Sequence, residues 1–93
     1  MTVGVLRMEL ALLEARTLKE KRSVVRSFVE RLRNRFNVAV AEVGHADSPK
    51  RCRLGIVTVN TEARAVHSLF DQIADLSRVT GGLTLLDYDR DIL

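Results

Sequence analysis

The chain has 93 residues, the size of one small domain, which buries roughly 60–70% of the surface exposed when unfolded. Its hydrophobic content of 46% excludes an intrinsically disordered protein, and no apolar run approaches the roughly 20 residues that a membrane span needs. The net charge of +3 is unevenly distributed, because residues 16–36 carry eight Lys and Arg but only two Glu. The single cysteine, Cys52, excludes an internal disulfide and is compatible with a cytoplasmic location, which we expect.

The first predicted element is a strand over residues 3–13. Its residues alternate in the manner of a half-buried strand, with one uniformly apolar face that should meet the helices. That face consists of Leu6, Met8, Leu10 and Leu12.

A helix is predicted next, from Thr17 to Phe36. Thr17 followed by Glu20 is typical of a capping box, in which each side chain accepts a hydrogen bond from an otherwise unpaired backbone N–H. A step of about 100° per residue places six apolar residues on one side, which must face a core: Leu18, Val25, Phe28, Val29, Leu32 and Phe36. The same projection gathers a basic stripe along one flank, made of Lys19, Arg22, Arg26 and Arg33.

Four further elements complete the chain. Residues 38–43 and 51–59 are predicted strands, joined by a hairpin loop over 44–50 that contains the only proline. A second helix begins after Asn60 or Thr61 and ends at Gly81-Gly82. Residues 83–93 form a last strand, in which Leu86, Tyr88 and Ile92 alternate with Asp87, Asp89 and Asp91.

The resulting order, βαββαβ, predicts an α+β protein with the ferredoxin-like fold over residues 1–93 as a single domain. Two right-handed crossovers place both helices on one face of a four-stranded antiparallel sheet. The other face, here called the open face, is left to solvent or to a partner.

The beginning of the first helix is a candidate phosphate-binding site. Lys19, Lys21 and Arg22 lie where the helix dipole is positive and free N–H groups favour anions. A phosphate or nucleic-acid backbone would neutralise them, and the predicted contacts are Lys19, Lys21, Arg22, Arg26 and Arg33. The alternative is a solvated helix flank. The three arginines Arg31, Arg33 and Arg35 end the helix, where the dipole favours cations, and Asp89 and Asp91 are expected as their neighbours.

The open face is a second candidate site. Three valines are interleaved there with charged residues. The candidate homodimer interface consists of Val5, Arg7, Glu9, Arg53, Val57 and Val59. Glu9, Glu42, Asp87 and Asp89 are expected to meet on this face beside Arg7 and Arg53 as a lattice of ion pairs. A solvated antiparallel face is the alternative.

Several chemistries of this fold lack their residues. The loop after the first strand, LEARTL, has neither a CxxC motif nor a glycine-rich phosphate cradle, and the chain has no GXXG loop. The third strand has no aromatic residue on which a base could stack. His45 and His67 lie far apart in sequence without ligand spacing. We therefore expect no metal, no cofactor and no enzymatic activity.

Three stretches resemble the YlxP-like family of short bacterial proteins, a domain of unknown function: VGVLRMEL, TLKEKRSVVRSFVERLRNRFNVAVAEVG and LLDYDRDIL. The resemblance implies a ferredoxin-like fold and a bacterial cytoplasmic setting, with family genes often beside translation initiation and ribosome-maturation factors. It offers no catalytic residues. The expected function is a non-enzymatic RNA- or ribosome-associated module that binds phosphates through the first helix. The alternative is a homo-oligomeric protein-interaction domain that uses the open face.

Overall fold

The computed structural model describes all residues from Met1 to Leu93 and confirms the predicted order of elements. The strands are β1 (Thr2–Ala11), β2 (Ala39–Gly44), β3 (Arg51–Asn60) and β4 (Thr84–Ile92). The helices are α1 (Leu18–Arg35) and α2 (Ala63–Arg78). No helix is both long enough and apolar enough to cross a membrane.

The four strands form one antiparallel sheet in the order β2-β3-β1-β4. β1 and β3 pair along their whole length, from Thr2 opposite Asn60 to Ala11 opposite Arg51. Both crossovers, through α1 and α2, place their helices on the same face, as the ferredoxin-like fold requires. The fold prediction is therefore confirmed.

The core lies between the helices and the sheet, on the faces that the periodicity indicates. Leu6, Met8 and Leu10 of β1 are fully buried in the same core cluster as Phe28 and Leu32 of α1. From α2, the core receives Val66, Phe70, Ile73 and Leu76. Ala63 is exposed because it occupies the first turn of α2, beyond the core cluster.

Glycine at position 4 is required by close packing between β1 and α2. A Cβ atom placed there would lie 2.3 Å from Val66 Cγ1 and 2.9 Å from Phe70 Cε2. Because van der Waals contacts cannot be this short, any larger residue would push α2 away from the sheet. Gly4 therefore sets the approach of the second helix.

The capping at the two ends of α1 agrees only in part with what its sequence predicts. At the N-terminus Thr17 Oγ1 accepts from the backbone N–H of Glu20 at 3.1 Å, whereas the Glu20 carboxylate accepts from Arg16 N, at 2.7 Å, rather than from Thr17. At the C-terminus the helix stops at Phe36 in an extended conformation. Asn37, the next residue, does not adopt the left-handed conformation that often ends a helix, since His45 is the only non-glycine residue with positive φ.

The alternation predicted for β4 fails at one point. The pairing of β1 with β4 shifts between Glu9 and Leu10, where Asp87 pairs with Glu9 but Leu85 pairs with Leu10. Such a β-bulge adds one residue to a strand and reverses the faces beyond it. Leu85 consequently packs against the core, and Leu86 is exposed.

Candidate functional site

The basic stripe on α1 lies at the surface of the molecule. Lys19, Arg22 and Arg26 are exposed and have no hydrogen-bond or ion-pair partner within the chain. Arg33 is also exposed but donates from Nη2 to the carbonyl oxygen of Val40 in β2, at 2.9 Å. These four cations extend for about 21 Å along the helix, at a rise of 1.5 Å per residue.

Lys21 does not belong to this surface. Its side chain is buried, and its ammonium is within hydrogen-bond distance of three acceptors. The partners are Glu42 Oε2 at 3.0 Å, the His45 carbonyl at 2.7 Å and the Arg51 carbonyl at 3.0 Å. An ammonium has three N–H donors, so none is left for a ligand. The prediction that Lys21 contacts phosphate is therefore wrong: this lysine joins α1 to the hairpin between β2 and β3.

Ion pairs divide the cations of the molecule into two groups. Of 15 Lys and Arg side chains, seven pair with a carboxylate: Arg7, Lys21, Arg51, Arg53, Arg64, Arg78 and Arg90. Six of the other eight are on α1, and the remaining two, Arg16 and Lys50, lie beside its first turn. Apart from buried Lys21, every cation of α1 is therefore without an ion-pair partner.

The residues predicted for the open face do lie together on it. The register places Val5 opposite Val57, Val3 opposite Val59 and Glu9 opposite Arg53. Val57 and Val59 are 41% and 49% exposed, which is high for valine in a strand. Beside them, Gly55 of β3 and Ala39, Ala41 and Val43 of β2 extend this apolar strip.

Two ion-pair clusters occupy the remaining half of the open face, around a shallow cavity of about 470 Å³. Arg7 Nη1 lies 3.1 Å from Asp89 Oδ1 and 3.0 Å from Asp91 Oδ2, and these two hydrogen bonds, the Asp89 bond foremost, raise the pKa of Arg7. Glu9 receives hydrogen bonds from Arg53, Arg51 and the His45 ring.

The hydrogen bond from Arg53 is the main reason why the pKa of Glu9 is below its ordinary value. Partial burial of the carboxylate acts in the opposite direction. The carboxylate is therefore held in its charged form by the arginines of the neighbouring strand.

Two expectations about these carboxylates are wrong. Glu42 pairs with Leu54 in the register and points to the helix side, where it meets Lys21 instead of the open-face lattice. Asp89 and Asp91 face away from the helices and bind Arg7, so they are not neighbours of Arg31, Arg33 and Arg35. In both cases the strand register decides the partner.

The sequence did not indicate that His45 has two roles. Its backbone, with φ of 63°, turns the carbonyl toward Lys21, and its ring Nε2 lies 3.1 Å from Glu9 Oε2 on the open face. The only available signal was its place directly after Gly44, at the start of the loop between β2 and β3. His67 is far from it, on α2, with Nδ1 3.2 Å from Arg90.

Fold and surface together define a small ferredoxin-like α+β protein with an unpaired basic helix on one side and an open, valine-rich sheet face on the other. Residues 3–90 match the model of a family described as a protein of unknown function (DUF503), and the chain belongs to that family. It is similar to the uncharacterized protein YlxP of Bacillus subtilis (strain 168), with 30% identity over 83 residues. That alignment covers 82% of this chain and 90% of YlxP, in agreement with the resemblance of its motifs.

Proposed function

We propose that this protein is a non-enzymatic RNA-binding module whose basic stripe contacts the phosphate backbone. The observation that carries the proposal is the division of the cations: those of the strands and of α2 pair with carboxylates, whereas those of α1, except buried Lys21, are exposed and have no carboxylate partner. Unpaired cations on one rigid helix repel one another, so an anionic partner that releases its counterions gains free energy there.

The spacing of the stripe supports an extended polyanion rather than a single small anion. Lys19, Arg22 and Arg26 follow one another at intervals of about 4.5 and 6 Å along the helix, and Arg33 lies about 10 Å further on. A small phosphate compound would reach one or two of these groups, whereas a nucleic-acid strand reaches all of them.

Recognition of this kind carries no sequence information, because phosphate contacts position a nucleic acid while contacts to base edges specify it. The strands contain one aromatic residue, Tyr88, which is half-buried on the helix side and therefore offers no stacking platform on the open face. Specificity would come from RNA shape or from a neighbouring protein. A ribosomal component in the cytoplasm is the partner implied by the resemblance to the YlxP-like family.

The test is binding of a fluorescently labelled single-stranded RNA, followed by anisotropy at low salt. A triple variant, Lys19→Gln with Arg22→Gln and Arg26→Gln, should bind at least about tenfold more weakly, because each charged contact contributes independently. The matched control replaces three exposed cations outside the stripe, Arg31, Arg35 and Arg64, by Gln. It has the same net charge and should lose much less affinity. Equal losses in the two variants would contradict a site on the stripe.

A further inference from the structure

The open face of the sheet has a property that goes beyond RNA binding: its two central strands are complementary to themselves. Each residue that β1 presents on this face pairs with a residue of β3 that complements it in polarity, size or charge. The successive pairs are Val3 with Val59, Val5 with Val57, Arg7 with Gly55, and Glu9 with Arg53. Apolar residues are paired with apolar ones, a long side chain with a glycine, and an anion with a cation.

We propose that this face is the interface of a homodimer, in which a second copy packs face to face about a twofold axis parallel to the strands and centred between β1 and β3. In that arrangement each residue of β1 faces the residue of the partner's β3 that it already pairs with in its own chain. A twofold contact is isologous, so every pairing occurs twice. Valine would meet valine, and the Glu9 carboxylate would meet a second Arg53 guanidinium.

The charges favour this axis over the alternative twofold axis, which is perpendicular to the strands. The ion-pair clusters of Arg7 and Glu9 occupy one end of the face, and Val3, Val57 and Val59 occupy the other. A perpendicular axis would bury charged groups against the valines, which is costly because they would lose water without gaining a partner. On the two central strands the parallel axis places valines on valines and Glu9 on the partner's Arg53. At the rim, which is normally polar and open to water, Asp89 and Asp91 of β4 keep their contacts to Arg7 and lie over β2 of the second copy.

The area of the face limits how much surface each copy can bury in the dimer. The four strands have six to ten residues and lie about 4.8 Å apart, so they cover roughly 550 Å² in projection. Standard interfaces bury about 800 Å² per partner, so the dimer lies at the lower end of that class. We therefore expect an association that is reversible in the micromolar range. The helices, and with them the basic stripe, remain on the outer surfaces of the dimer.

Sedimentation equilibrium of the wild-type chain, from low to several hundred micromolar, should show a rise from the monomer mass of 10.5 kDa to twice that value. Val57→Asp places a charge in the apolar half of the interface twice per dimer and should weaken association by at least about a hundredfold. The control is Val79→Asp, at the end of α2 and equally apolar, which should dimerise like the wild type. A chain that stays monomeric throughout, or a Val57→Asp dimer of undiminished affinity, would overturn the proposal.

Crosslinking tests the axis without relying on a destabilising substitution. In the proposed dimer residue 59 of one copy lies near residue 59 of the other, so Val59→Cys should be joined by a short bifunctional thiol reagent. With the perpendicular axis these two positions lie at opposite ends of the dimer, and no product should form. The native Cys52 does not interfere, because it is fully buried and burial raises the pKa of its thiol to about 12. A dimer that forms but gives no crosslink would refute the parallel axis.

Discussion

The ammonium of Lys21 and the carboxylate of Glu42 form a 3.0 Å ion pair between the first turns of α1 and the end of β2. The lysine side chain is 1% exposed and the glutamate 27%. With the two backbone carbonyls that Lys21 also contacts, this pair fixes the hairpin loop against the helix. A cation in the most basic segment of the chain thus has a structural role.

Replacing Lys21 by Met should destabilise the protein by about 3 kcal/mol, because it leaves a carboxylate and two carbonyls near the core without their donor. The estimate is at the lower end of the range for buried pairs, since Glu42 is partly exposed and can be rehydrated. In the Lys21→Met variant, Glu42→Gln should lower the free energy of unfolding by less than it does in the wild type.

Urea unfolding of the two single variants and the double variant measures this coupling. The control is Lys19→Met, which changes an exposed and unpaired lysine two residues away and should alter stability by less than about 0.5 kcal/mol. Strict additivity of Lys21→Met and Glu42→Gln would contradict the interaction.

The helix–sheet core gives a second prediction. Phe28 and Leu32 are 1% and 0% exposed, so truncation of either to Ala should cost about 2–5 kcal/mol through lost burial and a residual cavity. Ser27→Ala, on the exposed side of the same helix, is the control. Losses below about 1 kcal/mol for both core variants in urea unfolding would show that the buried face of α1 is wrongly assigned.

The ion-pair cluster around Glu9 makes stability depend on pH. Because hydrogen bonding by Arg53 lowers the pKa of Glu9 in the folded protein, its contribution is present above the ordinary pKa and is lost as the pH falls through the lowered value. Glu9→Gln should therefore cost about 1 kcal/mol near neutral pH and progressively less in acid.

The comparison needs urea unfolding of wild type and Glu9→Gln at a series of pH values. Asp47→Asn removes an exposed carboxylate that has no ion-pair partner and serves as the control. A difference between wild type and Glu9→Gln that stays constant into acid would mean that the carboxylate contributes no charge interaction.

Where polar and apolar residues alternate clearly, the sequence was sufficient to predict the structure. Leu6, Met8 and Leu10 face the core as expected, and the register then brings Val5 and Val57 together on the open face. The hydrophobic residues repeat with one period in a helix and another in a strand, so their pattern indicates which side of each element is buried.

Each failure has an identifiable physical cause. β2 reads AVAEVG, with small apolar residues on both faces, so nothing in the strand shows which way Glu42 points. Leu85 and Leu86 exchange faces because of a bulge, which depends on pairing with β1. Lys21 finds its partners more than 20 residues away, in an element whose position only the folded sheet defines.

The basic stripe was predicted from helical projection alone, and four of the five predicted phosphate contacts are exposed. The sequence could not show which of the other cations form ion pairs with carboxylates. Arg7, Arg53 and Arg90 are neutralised by carboxylates that are distant in sequence, and only the sheet register reveals this.

The most direct test of phosphate binding is the salt dependence of RNA affinity. Each contact to a single strand contributes about 0.7 to the slope of log affinity against log salt, so the four stripe residues predict a slope near −3. The variant lacking Lys19, Arg22 and Arg26 should have a slope about two units shallower, with unchanged stability because these side chains are exposed and unpaired. An unchanged slope in that variant, or no binding of the wild type at low salt, would contradict the account.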